Sequence, residues 1–154
     1  AIETFISNFS SLPLNLRDRI ILENDDKSYT ASDTLGLCQM LSIPMVFDVH
    51  HHACNPDGLS IEELSTPIFD TWHNQPLVPK IHFSTPKSPA QIRGHADYID
   101  SSDFYNFLIQ AKKVNRDFDI MLEAKNKDMA LFRLVQDLKK YPEIHFIDDA
   151  SFEM

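Results

Sequence analysis

Short β-branched runs alternate along the chain with longer stretches of helical period. Arg19-Ile20-Ile21-Leu22-Glu23 predicts a buried strand. Thr30 then opens a helix, with Asp33 completing a near-capping box, and Leu35, Cys38 and Leu41 facing inward before Pro44. Met45 to Val49 predicts a second strand. Ser60-Ile61-Glu62-Glu63 is a full capping box and starts a helix toward Trp72, which Pro67 is expected to kink or split. Pro79 to Phe83 predicts a third strand, with proline at the first position, where it is tolerated. A long loop is expected from Ser84 to Ser102. Phe104, Phe107, Leu108 and Ala111 then mark one helix face. Phe118 to Glu123 predicts a fourth strand, and Met129, Phe132, Val135 and Leu138 mark the apolar face of a last helix. Ile144 to Ile147 adds one short strand before a frayed end.

Four β-α units in series imply a parallel sheet covered by helices. A closed (β/α)₈ barrel takes about 250 residues, so 154 residues build about half of one. An open doubly wound sheet fits the same pattern. The only glycines, Gly36, Gly58 and Gly94, stand far apart, which excludes a glycine-rich phosphate loop. Cys38 and Cys54 form no C-x-x-C pair and argue against a zinc ribbon or a disulfide scaffold. No apolar stretch approaches the ~20 residues that span a bilayer, and the first fourteen residues lack the basic region of a secretory signal. The net charge of −9 disfavours non-specific nucleic-acid binding. It does so less strongly if carboxylates hold cations.

Polar residues close every predicted strand: Glu23, Asp48, His82 and Glu123. In parallel α/β folds these C-terminal strand ends form the ligand face. Four metal-capable groups therefore share one rim. Carboxylates with histidine and no thiolate suit a borderline divalent ion such as Mn²⁺ or Zn²⁺. Each residue alone has a plainer use. A glutamate at a strand end caps helices or pairs with a cation, an aspartate makes Asx turns, and a lone histidine is usually a satisfied core residue. All four strands ending this way, with His50-His51-His52 and His95 in the adjoining segments, favour a functional centre. Strict strand alternation would put Asp48, His50 and His52 on one face, whereas a chain turning after Asp48 would join Asp48 to His51.

Other groups carry less. Ser84 and Ser101 have no base at fixed spacing, and Cys54 beside the histidines reads as a bystander thiol. Lys80, two residues before His82, faces the same side of its strand. It suits an ion pair, or a carbamate ligand after CO₂ addition. Arg93 suits either a phosphate contact or a solvated surface.

Leu22-Glu23-Asn24-Asp25-Asp26, Asp48-Val49-His50-His51-His52, Lys80-Ile81-His82, His95-Ala96-Asp97-Tyr98 and Met121-Leu122-Glu123-Ala124-Lys125 occur in this order. Together they resemble the UV damage endonucleases of bacteria and fungi, from about Ile20 to Leu138. The resemblance implies a TIM-barrel fold similar to endonuclease IV and a cluster of up to three divalent metals. Manganese is expected first, with zinc or magnesium as alternatives. It implies nicking of duplex DNA 5′ to UV photoproducts. By motif, Glu23 would bridge two metals, with Asp48, His82 and Glu123 completing one site. His51 and His95 would hold a third metal, with Asp97 a weaker candidate. Lys80 matches the family lysine beside the cluster, so Glu23 and Lys80 are the expected catalytic residues.

Family members have about twice this length, and nothing here matches their first strands. Residues 1–154 are therefore expected to be a single domain corresponding to the C-terminal half of the barrel, inactive by itself. Two open sheet edges predict association, as a homo-oligomer of half-barrels. UV-damaged double-stranded DNA is the expected partner of the whole enzyme, and no membrane is involved. The expected location is the cytoplasm in bacteria or the nucleus in eukaryotes, without secretion. An apurinic-site endonuclease, a metal-dependent sugar isomerase and a non-catalytic interaction module are the other readings.

Overall fold

The computed structural model describes residues 1–154. Two helices come first, α1 (Ile2–Ser11) and α2 (Leu14–Arg17). Then follow β1 (Leu22–Glu23), α3 (Ala31–Leu41), β2 (Met45–Asp48), α4 (Val49–Cys54), α5 (Ile61–Asp70) and β3 (Lys80–Phe83). A hairpin of β4 (Pro86–Ser88) and β5 (Gln91–His95) leads to α6 (Ser101–Ala111), β6 (Asp119–Leu122) and α7 (Lys127–Leu138). The chain ends in a second hairpin, β7 (His145–Phe146) with β8 (Phe152–Glu153).

The central sheet is four-stranded, all parallel and in the order β1-β2-β3-β6. Strands entering in sequence order with helical crossovers give half of a (β/α)₈ barrel, as the sequence pattern predicts. Alternation along each strand sets the two faces. Met45 and Phe47 of β2, and Ile81 and Phe83 of β3, are fully or nearly fully buried on the helix side. There the Phe83 ring meets Phe104 edge-on at 5.1 Å and Phe107 at 5.3 Å. Burying each such side chain contributes about 1.5–3 kcal/mol. Trp72 is anchored to the same layer, its Nε1 donating to the Met45 carbonyl at 2.6 Å. The opposite face carries Ile21, 43% exposed, and Met121, 56% exposed.

Capping fixes where the helices start. Thr30 and Asp33 exchange side-chain and backbone hydrogen bonds at α3, and Ser60 and Glu63 do so at α5. Asp100 accepts from the Ser102 and Asp103 amides at α6. No helix is long and apolar enough to cross a membrane.

Four expectations are corrected. The first strand is only Leu22–Glu23, because Arg19 and Ile20 donate to the Leu16 and Arg17 carbonyls in turns that continue α2. Pro67 does not split α5. The carbonyl it deprives of a partner is that of Glu63, which is exposed and can turn to water. The segment Ser84–Ser102 is not one loop, since it contains the β4–β5 hairpin. Its prolines and polar residues hide any alternation. On α7 the buried stripe is Ala130, Leu134 and Leu138, while Met129 and Phe132 are 57% and 58% exposed. That helix has two apolar stripes, and sequence periodicity does not say which one packs.

Candidate metal centre

The rim at the strand ends is set by register. Asp48 is the register partner of His82 across β2 and β3. Glu23 ends β1, and the Glu123 amide continues the ladder beyond β6 by donating to the Phe83 carbonyl at 2.9 Å. Parallel neighbours lie about 4.8 Å apart, so these four side chains are brought together by the sheet. The chain turns immediately after β2. Asp48 is the N-cap of α4 and accepts from the His51 amide at 2.7 Å. Of the two arrangements open from the sequence, the structure therefore adopts the one joining Asp48 to His51. His52 is buried elsewhere, with Nε2 3.0 Å from the Leu59 carbonyl. His50 is also buried, its ring edge-on to His95 at 5.3 Å.

Six side chains form one continuous line. His51 Nδ1 lies 3.6 Å from Asp48 Oδ2 and 3.4 Å from Glu23 Oε1. Glu23 Oε1 lies 3.2 Å from His82 Nδ1, which lies 3.5 Å from Glu123 Oε1. Glu123 Oε2 lies 3.7 Å from His95 Nδ1. Candidate ligand atoms of Glu23, Asp48 and His82 all fall within 4.8 Å of one another. All six residues expected as ligands are thus in this line, and the tight triad is its middle.

The line is short of donors. Asp48 Oδ2 and His82 Nδ1 are buried without a hydrogen-bond partner. Glu23 is within ion-pair reach of His82 but stands off the ring's N–H axis. Burial pushes the Asp48 carboxyl up to about 6, helped by the Glu23 and Glu123 charges and opposed by the His51 amide. The Glu23 carboxylate holds His82 above its ordinary value against the effect of burial. Burial raises Glu23, but its interactions with His82 and the charge of His51 outweigh that and leave it lowered.

Lys80 does not join the line. Its Nζ lies 2.7 Å from Asp119 Oδ2, roughly 7 Å down the strand from His82 by the rise of two residues. The Cys54 thiol lies 3.7 Å from His50 Nε2 and points to the Ile92 carbonyl, and burial raises it, so it is no activated nucleophile. Asp97 is exposed. An open cleft of about 520 Å³ adjoins the line, lined by Arg93, His95, Glu123, Ala124 and Lys125. Arg93 is 3.6 Å from Asp26 and half exposed, and Lys125 is exposed. The sequence reading weighed Arg93 but gave Lys125 no role, although it closes the Met121–Lys125 motif.

Three carboxylates and three histidines converge here without a lysine or arginine among them. Two buried ligand atoms lack partners. That arrangement fits a divalent cation, and the oxygen and imidazole donors suit manganese, zinc or magnesium. Glu23, Asp48 and His82 would hold it.

The model of the family "UV-endonuclease UvdE" matches residues 1–153. A UV DNA damage endonuclease of Bacillus cereus (strain G9842) is 46% identical over 99% of this chain and 48% of its own length. That of Bacillus mycoides (strain KBAB4) is 44% identical with the same coverage. The crystal structure of SacUVDE superposes with a TM-score of 0.79 and 31% identity, covering 90% of this chain and 46% of that one. The chain spans about half the length of the curated relatives it matches. With its parallel half-barrel and the motifs on its rim, the chain belongs to the UV-endonuclease UvdE family.

Proposed function

We propose that this chain carries the metal-binding rim of a DNA repair endonuclease that nicks duplex DNA 5′ to UV photoproducts by metal-dependent hydrolysis. The observation that carries the reading is the convergence of Glu23, Asp48 and His82, with Asp48 Oδ2 buried and unpartnered, in a member of this family. The chemistry a bound divalent cation supplies is a water reactive at neutral pH and charge neutralisation at the phosphate. Manganese is the expected ion.

The chain's own residues then divide the work. Glu23 faces both His51 and His82 and would be the carboxylate shared between neighbouring cations. Glu123 spans His82 and His95 and links the two ends of the line. Arg93 and Lys125 flank the cleft and take the non-bridging oxygens of the phosphodiester by charge-assisted hydrogen bonds. Lys80 orders the strand face through Asp119. Choice of lesion follows from the lower cost of deforming and unstacking damaged duplex.

We infer that residues 1–154 act as one domain, the C-terminal half of the barrel, and do not nick DNA alone. Association covers the exposed Ile21 and Met121 and the apolar groove of Ile120, Leu122 and Leu131 at the free edge of β6. A second copy is the proposed occupant when the chain is alone in solution.

The test is nicking by the full-length parent on duplex DNA carrying UV photoproducts, with Mn²⁺, beside its Glu23→Gln variant. The expected result is a nick immediately 5′ to the lesion that the variant loses. Cleavage of abasic duplex with UV-damaged duplex left intact would assign an apurinic-site endonuclease instead. Aldose–ketose turnover without DNA cleavage would assign an isomerase.

A further inference from the structure

Asn24 follows Glu23 directly in the Glu-Asn-Asp-Asp run, and the ligand line gives it no part. It is nevertheless 1% exposed. Its Nδ2 donates to the Asp48 carbonyl at 2.9 Å, and its Oδ1 accepts from the Asp48 amide at 2.9 Å. The last main-chain register pair between β1 and β2 is Glu23 with Val46. The carboxamide therefore extends the ladder with a side chain, gripping the backbone of Asp48 on both sides. The orientation of the amide is unique, because the Asp48 N–H can only donate and its carbonyl can only accept.

The main chain of Asn24 makes a third connection. His51 Nδ1 lies 2.9 Å from the Asn24 carbonyl oxygen. A carbonyl cannot donate, so Nδ1 carries the hydrogen and the neutral ring keeps its lone pair on Nε2. Histidines that bind metals have their tautomer fixed by such a partner on the other nitrogen.

We propose that Asn24 is a positioning residue whose carboxamide clamps the backbone of Asp48 and so sets its carboxylate for a divalent cation, while its main-chain carbonyl holds the hydrogen of His51 on Nδ1. This rests on the metal-centre reading above. Few residues can do it. The group must offer one donor and one acceptor with the spacing of a peptide unit. Aspartate lacks the donor and sets a charge against a carbonyl. Alanine leaves the buried Asp48 N–H and C=O unpaired.

The experiment records the ¹⁵N ring resonances of His51 and the hydrogen exchange of the Asn24 carboxamide without metal, and Mn²⁺ affinity by calorimetry, for the chain and for Asn24→Asp and Asn24→Ala. His51 in the unaltered chain should hold its hydrogen on Nδ1. Both variants keep the main-chain carbonyl at position 24 and should keep that tautomer, whereas affinity should fall about 10- to 100-fold, with the far-UV circular dichroism of the folded chain retained. An unaltered chain with the hydrogen on Nε2 overturns the proposal. So do folded variants that bind Mn²⁺ as tightly as the unaltered chain. If the unaltered chain binds no Mn²⁺ yet its Asn24 carboxamide hydrogens are protected from exchange, the metal reading fails and the clamp on Asp48 stands. Should both variants unfold, the Asn24 carboxamide of the unaltered chain decides, since protection from hydrogen exchange supports the clamp and free exchange overturns it.

Discussion

The two faces of the parallel sheet are built on opposite terms. On the helix side Met45, Phe47, Ile81 and Phe83 are all buried among aromatic and aliphatic neighbours, with no charged group among them. On the other face Asp48 is equally buried but charged, with one carboxylate oxygen lacking a partner. Ile21 and Met121 on that face remain largely exposed. The same four strands thus supply stability from one side and chemistry from the other. Strand alternation separates the two roles residue by residue. A group such as Asp48 costs free energy in the metal-free chain.

Changes on the helix side should have the largest effect on stability. Phe47→Ala should destabilise the chain by about 3–5 kcal/mol in urea unfolding, while the Mn²⁺ affinity of the folded protein stays within a few-fold. A matching loss of affinity would break the separation of the faces. Asp48→Asn should do the reverse. Mn²⁺ affinity should fall at least ~100-fold, while the metal-free chain at pH 7.5 gains about 1–3 kcal/mol because the buried charge is gone. Loss of both affinity and stability would show that Asp48 is a structural cap rather than a strained ligand.

A pH scan sharpens the same contrast. The Asp48 carboxyl is raised from its ordinary 3.8 to about 6 in the folded chain. Its protonated form is therefore favoured by folding, and stability rises as pH falls through 6 toward 4. The raised His82 acts in the same direction, since stability from its charged form is present at low pH and lost as pH rises. Glu23 is lowered and opposes only below about 4.5, whereas His50, lowered by burial, opposes as pH falls below its ordinary 6.5. From pH 8 to pH 5 the metal-free melting temperature of the unaltered chain should therefore rise relative to that of Asp48→Asn. Mn²⁺ affinity should decrease over the same range, because Asp48 must give up its proton to bind. No rise relative to Asp48→Asn over this interval contradicts the placement of Asp48.

Smaller effects belong to the periphery. Ser60→Ala removes one half of the α5 capping box and should cost about 1 kcal/mol in thermal unfolding. Met121→Glu should change the stability of the chain by under about 0.5 kcal/mol. It should reduce self-association in sedimentation velocity, since it places a charge on the uncovered face. Undiminished association would move the interface elsewhere.

Much of the fold was legible in sequence because parallel β-α units have strong periodicity. The four strands of the sheet and the capping boxes at Thr30 and Ser60 were readable from local patterns alone. The site was legible for a related reason, since each strand end carried its polar residue in plain order and the motifs resembled a known family. What was hidden depended on tertiary partners. The β4–β5 hairpin has prolines and exposed residues in place of alternation. The buried stripe of α7 is chosen by α6, and the sequence carries a second stripe of comparable apolarity. The role of Asn24 needs the register of β1 on β2, which no local pattern gives.

The central claim is that the strand-end line holds a divalent cation through Glu23. Titration of the chain with Mn²⁺, followed by electron paramagnetic resonance and run beside Glu23→Gln, tests it most directly. The account predicts saturable binding that weakens at least ~10-fold in the variant. Equal binding by the two proteins, or none by the unaltered chain at millimolar Mn²⁺, would contradict it.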